Sequence, residues 1–260
     1  MSDRMPVLFV SHGAPTLPFD EVPARRYLIE LARKVPKPKA ILCVSAHWEA
    51  PVPSLNSGAR LETIHDFYGF PKSLYELTYD APGSPELAER AAALLREAGY
   101  TPHLDPERGR DHGAWVPLML AWPAAEIPVI QLSLLRGKST HAHVALGEAI
   151  APLRDEGILI IGSGGAVHNL RQVSWDGGRT PRWAEDFQTW MDQQLGAGNV
   201  DAMLSYRAQI DSAQMAHPTE DHLLPLFVAL GAGLADRSAE KLHGSFTHGS
   251  LSLASYGWGM

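Results

Sequence analysis

The apolar positions of this chain fall into two rhythms. Four short runs, Val7 to Val10, Ala40 to Ser45, Val129 to Leu132 and Ile158 to Ile161, are nearly unbroken, as strands covered on both faces are. Between them lie stretches whose apolar residues recur three and four apart. Pro23 opens one carrying Tyr27, Leu28, Leu31 and Val35, closed by Pro36 and Pro38. Ser84-Pro85 opens a second with Leu87, Ala91, Leu94, Leu95 and Ala98, stopped by Gly99; serine as N-cap and proline just inside are helix-start signals. Ser139 or Thr140 caps a third with Leu146, Ile150 and Leu153, and Pro181 begins a fourth with Trp183, Phe187, Trp190 and Met191. Val116 to Trp122 reads as a helix entered through Asp111-His112, and a short helix is expected around Ala202 to Tyr206. A further helix over Leu223 to Leu230 has Thr219 as its N-cap and His222 one turn in. Leu251, Leu253 and Tyr256 alternate as in a half-exposed antiparallel strand at a sheet edge. The predicted fold is α/β, with a mostly parallel central sheet flanked by helices. Neither linker nor internal repeat interrupts residues 1–260, so one domain is expected;.

One stretch fits neither rhythm. From Glu49 to Pro82 prolines and glycines come often, and the segment includes His65-Asp66-Phe67-Tyr68-Gly69-Phe70-Pro71. It is too long for a simple connection and suits a lid or pocket wall, with a small strand where Tyr75, Leu77 and Tyr79 alternate;. A surface insertion without function is the competing reading.

Composition narrows the partners. A formal charge of -7 leaves no basic face for nucleic acid or anionic lipid;. No stretch approaches the ~18 apolar residues of a membrane span, and the opening MSDRMPVLFV is too short for a secretory core;. A cytoplasmic location is therefore expected, without nucleic-acid or membrane partners. Cys43 is the single cysteine, so intrachain disulfides and thiolate metal clusters are excluded, and its place in an apolar run suits a small buried hydrophobe;.

Twelve histidines are more than chance supplies at this length. His12, His47 and His168 each follow a strand-like run, and parallel strands align their carboxyl ends on one rim, where ligands of open α/β sheets bind;. His222 arrives from a helix start, and His112 precedes another helix. Imidazoles gathered from separate elements, without cysteine, make a site for one divalent ion at the carboxyl ends of the strands; zinc, iron(II) or manganese would fit. The alternative is that each imidazole hydrogen-bonds only its own loop. His217, on the loop of His222, ranks second as that loop's contributor, whereas His65, His103, His141, His143, His243 and His248 read as surface or local hydrogen-bonding groups.

Six blocks, Ser11-His12-Gly13-Ala14-Pro15, Ser45-Ala46-His47-Trp48, His65 to Pro71, Asp111-His112-Gly113-Ala114-Trp115, Gly162 to Leu170 and Pro218-Thr219-Glu220-Asp221-His222, occur in order from Val7 to the chain's end. Together they resemble the 4,5-DOPA extradiol dioxygenase family, class III extradiol ring-cleavage enzymes related to protocatechuate 4,5-dioxygenase. The resemblance implies one metal ion per chain at His12, His47, His222 and His168, as iron(II) for ring cleavage or as zinc(II). Distant relatives use two histidines and a glutamate for iron(II), with the residue matching His168 as acid/base, so His168 is either ligand or proton carrier here. His168 and His112 are the acid/base candidates, since imidazole titrates near neutral pH. Trp48, Phe67, Tyr68 and Trp115 are candidate walls for an aromatic ring, and Arg171 is a candidate partner for a substrate carboxylate. The implied activity is opening of a catechol-type, DOPA-like ring by dioxygen, with a small aromatic diol and dioxygen as partners and a monomer or small homo-oligomer as the assembly. A zinc hydrolase on the same scaffold and a non-catalytic metal-binding homologue are the alternatives.

Overall fold

The computed structural model describes residues 4–260. Four parallel strands form its centre: β1 (Val7–Ser11), β2 (Ala40–Ala50), β5 (Val129–Leu135) and β6 (Ile158–Gly164). They lie in the order β5-β2-β6-β1, and every residue of β1, β5 and β6 is buried. That explains the absence of polar alternation, because both faces are covered. One face carries α2 (Pro85–Glu97), α4 (Thr140–Ile150), α5 (Arg182–Ala197) and α9 (Leu224–Ala232); α1 (Pro23–Leu31) and α3 (His112–Ala121) cover the other. The capping signals hold locally. Ser84 Oγ accepts from Leu87 N, and Ser139 Oγ accepts from Ala142 N.

The sheet is wider than its parallel centre. β3 (Ser54–Asn56) and β4 (His103–Asp105) extend it on the β5 side, and β10 (Ser255–Trp258) and β7 (Glu240–His243) extend it on the β1 side, where pairing turns antiparallel. The chain's end is therefore not an edge strand. β10 lies between β1 and β7, and Leu251–Ser252 is a separate short strand, β9, paired with β8 (Phe246–Thr247). Alternating apolar residues fit both arrangements, and the bend between Ser252 and Ser255 decides against one continuous strand. Around Tyr206 the polar stretch is broken into α6 (Val200–Leu204), α7 (Tyr206–Gln209) and α8 (Ala213–Ala216). Where Tyr75, Leu77 and Tyr79 suggested a strand, Lys72–Glu76 makes a 3-10 turn that buries Leu74.

The long segment before α2 is pinned to the body rather than loose. Arg110 is wholly buried, and its guanidinium donates to the carbonyls of Leu61, Tyr79, Ala81 and Val129. Burial draws its pKa down to about 10, against the opposing pull of Tyr79 and Asp80. Five donors on one rigid fork can serve several strands of chain at once, so one side chain staples the wall to the sheet. Trp115 Nε1 adds a 2.9 Å bond to Ile64 O. The wall thus delivers Asp66 and Phe67 to a fixed place.

Candidate metal centre

His12 follows β1 directly, and its N–H donates to Gly164 O at 3.0 Å. His47 lies within β2 rather than past its end. Val44 pairs with Leu132, but the next pair is Glu49 with Leu134, so the extra residues of β2 must bow outward between them. Such irregularities re-aim side chains at functional rims, and this one carries His47. His222 is not in a helix as expected. It sits in the turn before α9, whose first residue is Leu224 and whose N-cap, Leu223, has no side-chain cap bond. Thr219 therefore caps no helix. The turn reaches the rim because position 164 is glycine: a Cβ there would collide with the His222 carbonyl, which accepts from Gly165 N at 2.9 Å. Gly113 plays the same part on the other face, where a Cβ would strike Ser45 Oγ and crowd His47.

These elements bring His12, His47 and His222 together, with one ligand-capable atom from each within 4.8 Å of the others. The hydrogen bonds around them decide where the ring protons sit. Pro117 has no N–H for the Gly113 carbonyl four residues earlier, and that carbonyl accepts from Ser163 Oγ instead. With its proton spent there, Ser163 Oγ accepts from His12 Nδ1 at 3.1 Å. His47 Nδ1 faces Asp66 Oδ2 at 3.4 Å, and His222 Nδ1 donates to Asp221 Oδ2. Each ring thus commits Nδ1 to an acceptor and leaves Nε2 as a lone pair. His12 Nε2 and His47 Nε2 stand 3.1 Å apart; two lone pairs at that distance repel, and a cation between them removes the repulsion. Acceptors behind ligand imidazoles are the usual support of metal sites.

The electrostatics of His12 and His47 agree with neutral rings. Burial, then the neighbouring imidazoles, holds His12 well below the ordinary histidine value, and the same causes bring His47 to about 2 despite the opposing charge of Asp66. Burial raises Asp66, but its bonds and charge interaction with His112 outweigh that and bring it to about 2. Asp66 is therefore an anion at neutral pH, shared between His47 and His112. Its Oδ1 accepts from His112 N at 2.9 Å, and its Oδ2 lies 3.0 Å from His112 Nδ1. His168 stacks flat on His222, with centroids 3.5 Å apart and planes 6° apart. Burial, then His222, brings its pKa to about 2.

The imidazoles form the floor of a cavity of about 220 Å³. Of the four aromatic residues expected around it, only Phe67 lines it. Trp48 follows His47 on a strand, so it points to the opposite face, where Arg108 lies 4.4 Å from its ring. Tyr68 is 92% exposed, and Trp115 is buried behind His65 and Phe67. Arg171 is exposed and outside the cavity. His217 is fully buried, with Nε2 donating to Ala166 O at 3.0 Å; burial holds its pKa near 4, and it serves packing. His143 is likewise a local group, with Nδ1 bonded to Ser139 O. His248 departs from expectation because it lines the cavity mouth. Cys43 is buried and free, and burial, then Asp111, pushes its thiol pKa up.

Asp66, Ser163 and Asp221 escaped the sequence reading as site residues. Asp66 stands among aromatic residues that carry no metal-site signal, and Asp221 has the place of a charge at a helix start. Ser163 gave a usable signal: a hydroxyl inside an otherwise apolar buried strand must have a partner.

Comparison with known proteins supplies the family. Residues 8–259 match the family described as the catalytic LigB subunit of aromatic ring-opening dioxygenase. The chain is 43% identical over 252 residues to a Beta vulgaris protein named 4,5-DOPA dioxygenase extradiol, covering 95% of this chain and 94% of that one. It is 40% identical to the Escherichia coli K12 protein of the same name, covering 89% and 86%. Its fold superposes on the crystal structure of an uncharacterized Escherichia coli K12 protein with a TM-score of 0.82 at 35% identity, covering 98% of this chain and 100% of the other. A rim of imidazoles at the carboxyl ends of a parallel sheet and a family match over nearly the whole length point the same way: the chain belongs to the LigB family of aromatic ring-opening dioxygenases.

Proposed function

We propose that the protein opens the ring of a catechol-type, DOPA-like substrate with dioxygen, cleaving between a hydroxylated carbon and its unhydroxylated neighbour. In this reading His12, His47 and His222 hold one divalent metal, and His168 and His112 move protons. The observation that carries it is the set of three imidazoles whose Nδ1 atoms are committed to Ser163, Asp66 and Asp221, leaving three lone pairs for one ion. Bound there as iron(II), the metal supplies Lewis acidity and the electron transfer that dioxygen chemistry requires.

The remaining work falls to side chains. The cavity above the imidazoles is lined mainly by apolar groups, among them Pro15, Phe67, Val167 and Leu253, which exclude water from an aromatic ring. His168 is assigned as a proton carrier rather than a ligand, because its ring lies flat on His222 and its backbone N–H is anchored to Ala216 O. A neutral imidazole there accepts the hydrogen bond of a catechol hydroxyl, and the negative charge that develops on the catechol oxygen beside it would raise its proton affinity enough to take that proton and return it to the ring-opened product. His112 is the second carrier, steered by Asp66.

The test is anaerobic reconstitution with iron(II), then addition of a catechol and dioxygen, following oxygen uptake and the yellow semialdehyde. Turnover is expected from the native chain. His168→Asn is expected to keep its metal and lose turnover by on the order of 100-fold or more. Loss of the metal in that variant would make His168 a ligand instead, and no turnover with any catechol, iron being bound, would overturn the reading.

A further inference from the structure

The cavity has two ends of unlike chemistry. Its floor is the imidazole cluster, and its mouth is bordered by Phe70, Leu170, Trp175 and His248. Leu170 and Trp175 are 58% and 66% exposed, so a ligand that reached the mouth would cover apolar surface now in water. Trp175 rests against His248, with ring centroids 4.9 Å apart. His248 has φ +47, a left-handed conformation uncommon for any residue but glycine. Two neighbours hold it there: Ser174 N donates to His248 O at 2.9 Å, and the Thr247–Leu251 pair closes the turn. Backbone kept in such a state by its surroundings is a feature of ligand sites. Here it ties the Trp175 loop to the β8–β9 hairpin across the entrance.

Among the described residues, no lysine, arginine, aspartate or glutamate lines the cavity. Away from the imidazole floor and the ion it would hold, a carboxylate or ammonium drawn inside would shed its water without meeting an opposite charge, which is strongly unfavourable. An uncharged carbon arm suffers no such loss.

We infer that Trp175, His248 and Leu170 form a subsite for the carbon arm that a substituted catechol carries on its ring. The arm is read by apolar and ring contact, not by charge, and any ionic groups at its tip stay in solvent beyond the mouth. This rests on the catechol reading above and adds to it a rule for the substituent.

Two readouts test it: kcat/KM of the iron(II)-loaded protein for catechol, 4-propylcatechol, 3,4-dihydroxyphenylpropanoate and DOPA, and anaerobic quenching of tryptophan fluorescence by 4-propylcatechol. The neutral-armed compound is expected to match or exceed both charged ones. Trp175→Ala is expected to lower kcat/KM for 4-propylcatechol about fivefold or more relative to its effect on catechol, and to weaken the quenching. His248→Asn removes the ring while tolerating the left-handed backbone, and shifts the same ratio in the same direction. A preference for DOPA over 4-propylcatechol of about tenfold or more would overturn the inference, as would Trp175→Ala affecting catechol and 4-propylcatechol in step. If no catechol consumed oxygen while 4-propylcatechol still quenched fluorescence in a Trp175-dependent way, ring opening would fail and the subsite would stand.

Discussion

Ser163 shows how much of this site depends on groups that touch no metal. Its hydroxyl converts an unused helix carbonyl into control of the His12 proton: Pro117 leaves Gly113 O free, Ser163 donates there, and His12 Nδ1 donates to Ser163. Ser163→Ala leaves His12 Nδ1–H buried without an acceptor. Metal affinity is expected to fall ~10–100-fold with the fold intact, read by competition with a chromophoric chelator. Asp221→Asn is expected to act similarly through His222, because a carboxylate that holds the Nδ1 proton is replaced by an amide;. Unchanged affinity in both would mean that the ring protons are not fixed by these partners. The histidines themselves were legible in sequence, since each lies close to an unmistakable apolar run. Their partners were not, because a hydrogen bond between residues 151 positions apart, as from His12 to Ser163, leaves no periodic mark on the chain.

Among the elements, the stapled wall and the irregular end of β2 position the site. The wall was recognisable as an anomaly of length and composition, but its anchorage was not. Arg110 lies in another segment, and its guanidinium bonds only to carbonyls, which any residues could supply. Arg110→Met is expected to destabilise the protein by about 2–4 kcal/mol, since it orphans several buried carbonyls at once. Urea denaturation measures this, and limited proteolysis should then cut within residues 57–82; full stability with a protected wall would contradict the stapling. His47 carries a similar lesson. The apolar run ended at Ser45, yet the strand continues to Ala50, because β2 bows out and rejoins β5 beyond His47. Trp48 lies outside the cavity, contrary to expectation, because strand alternation continues past His47;. His222 was misassigned to a helix because Thr219 and the acidic pair imitate a capping sequence; Asp221 in fact serves the imidazole, and Glu220 accepts from Tyr206 and Arg207.

For the whole molecule, the parallel centre could be read from four apolar runs, and an antiparallel strand near Tyr256 from alternation, but not its place between β1 and β7. β3 and β4 are three residues long, too short for any period to show. Buried neutral histidines also give the molecule a characteristic response to acid. His47 and His168 have folded pKa values near 2 and His217 near 4, all below the ordinary histidine value. Above about pH 6.5 these groups are neutral in both folded and unfolded chains and cost nothing. Below it the unfolded chain binds protons that the native one refuses, so stability falls by on the order of 1 kcal/mol per pH unit for each group. His217 stops contributing near pH 4 and the others near pH 2. Metal-stripped protein should therefore show urea midpoints that are flat above neutrality and drop steeply on acidification; a midpoint independent of pH between 7 and 4 would contradict neutral burial. The most direct measurement of the central claim is X-ray absorption at the metal edge after loading one equivalent of zinc(II) or iron(II), on the native chain and on His12→Ala, His47→Ala and His222→Ala. One ion per chain with about three imidazole nitrogens, at roughly 2.0–2.1 Å for zinc, and its loss from each variant is the predicted result. An ion ligated without imidazole, or retained equally by all three variants, would contradict it.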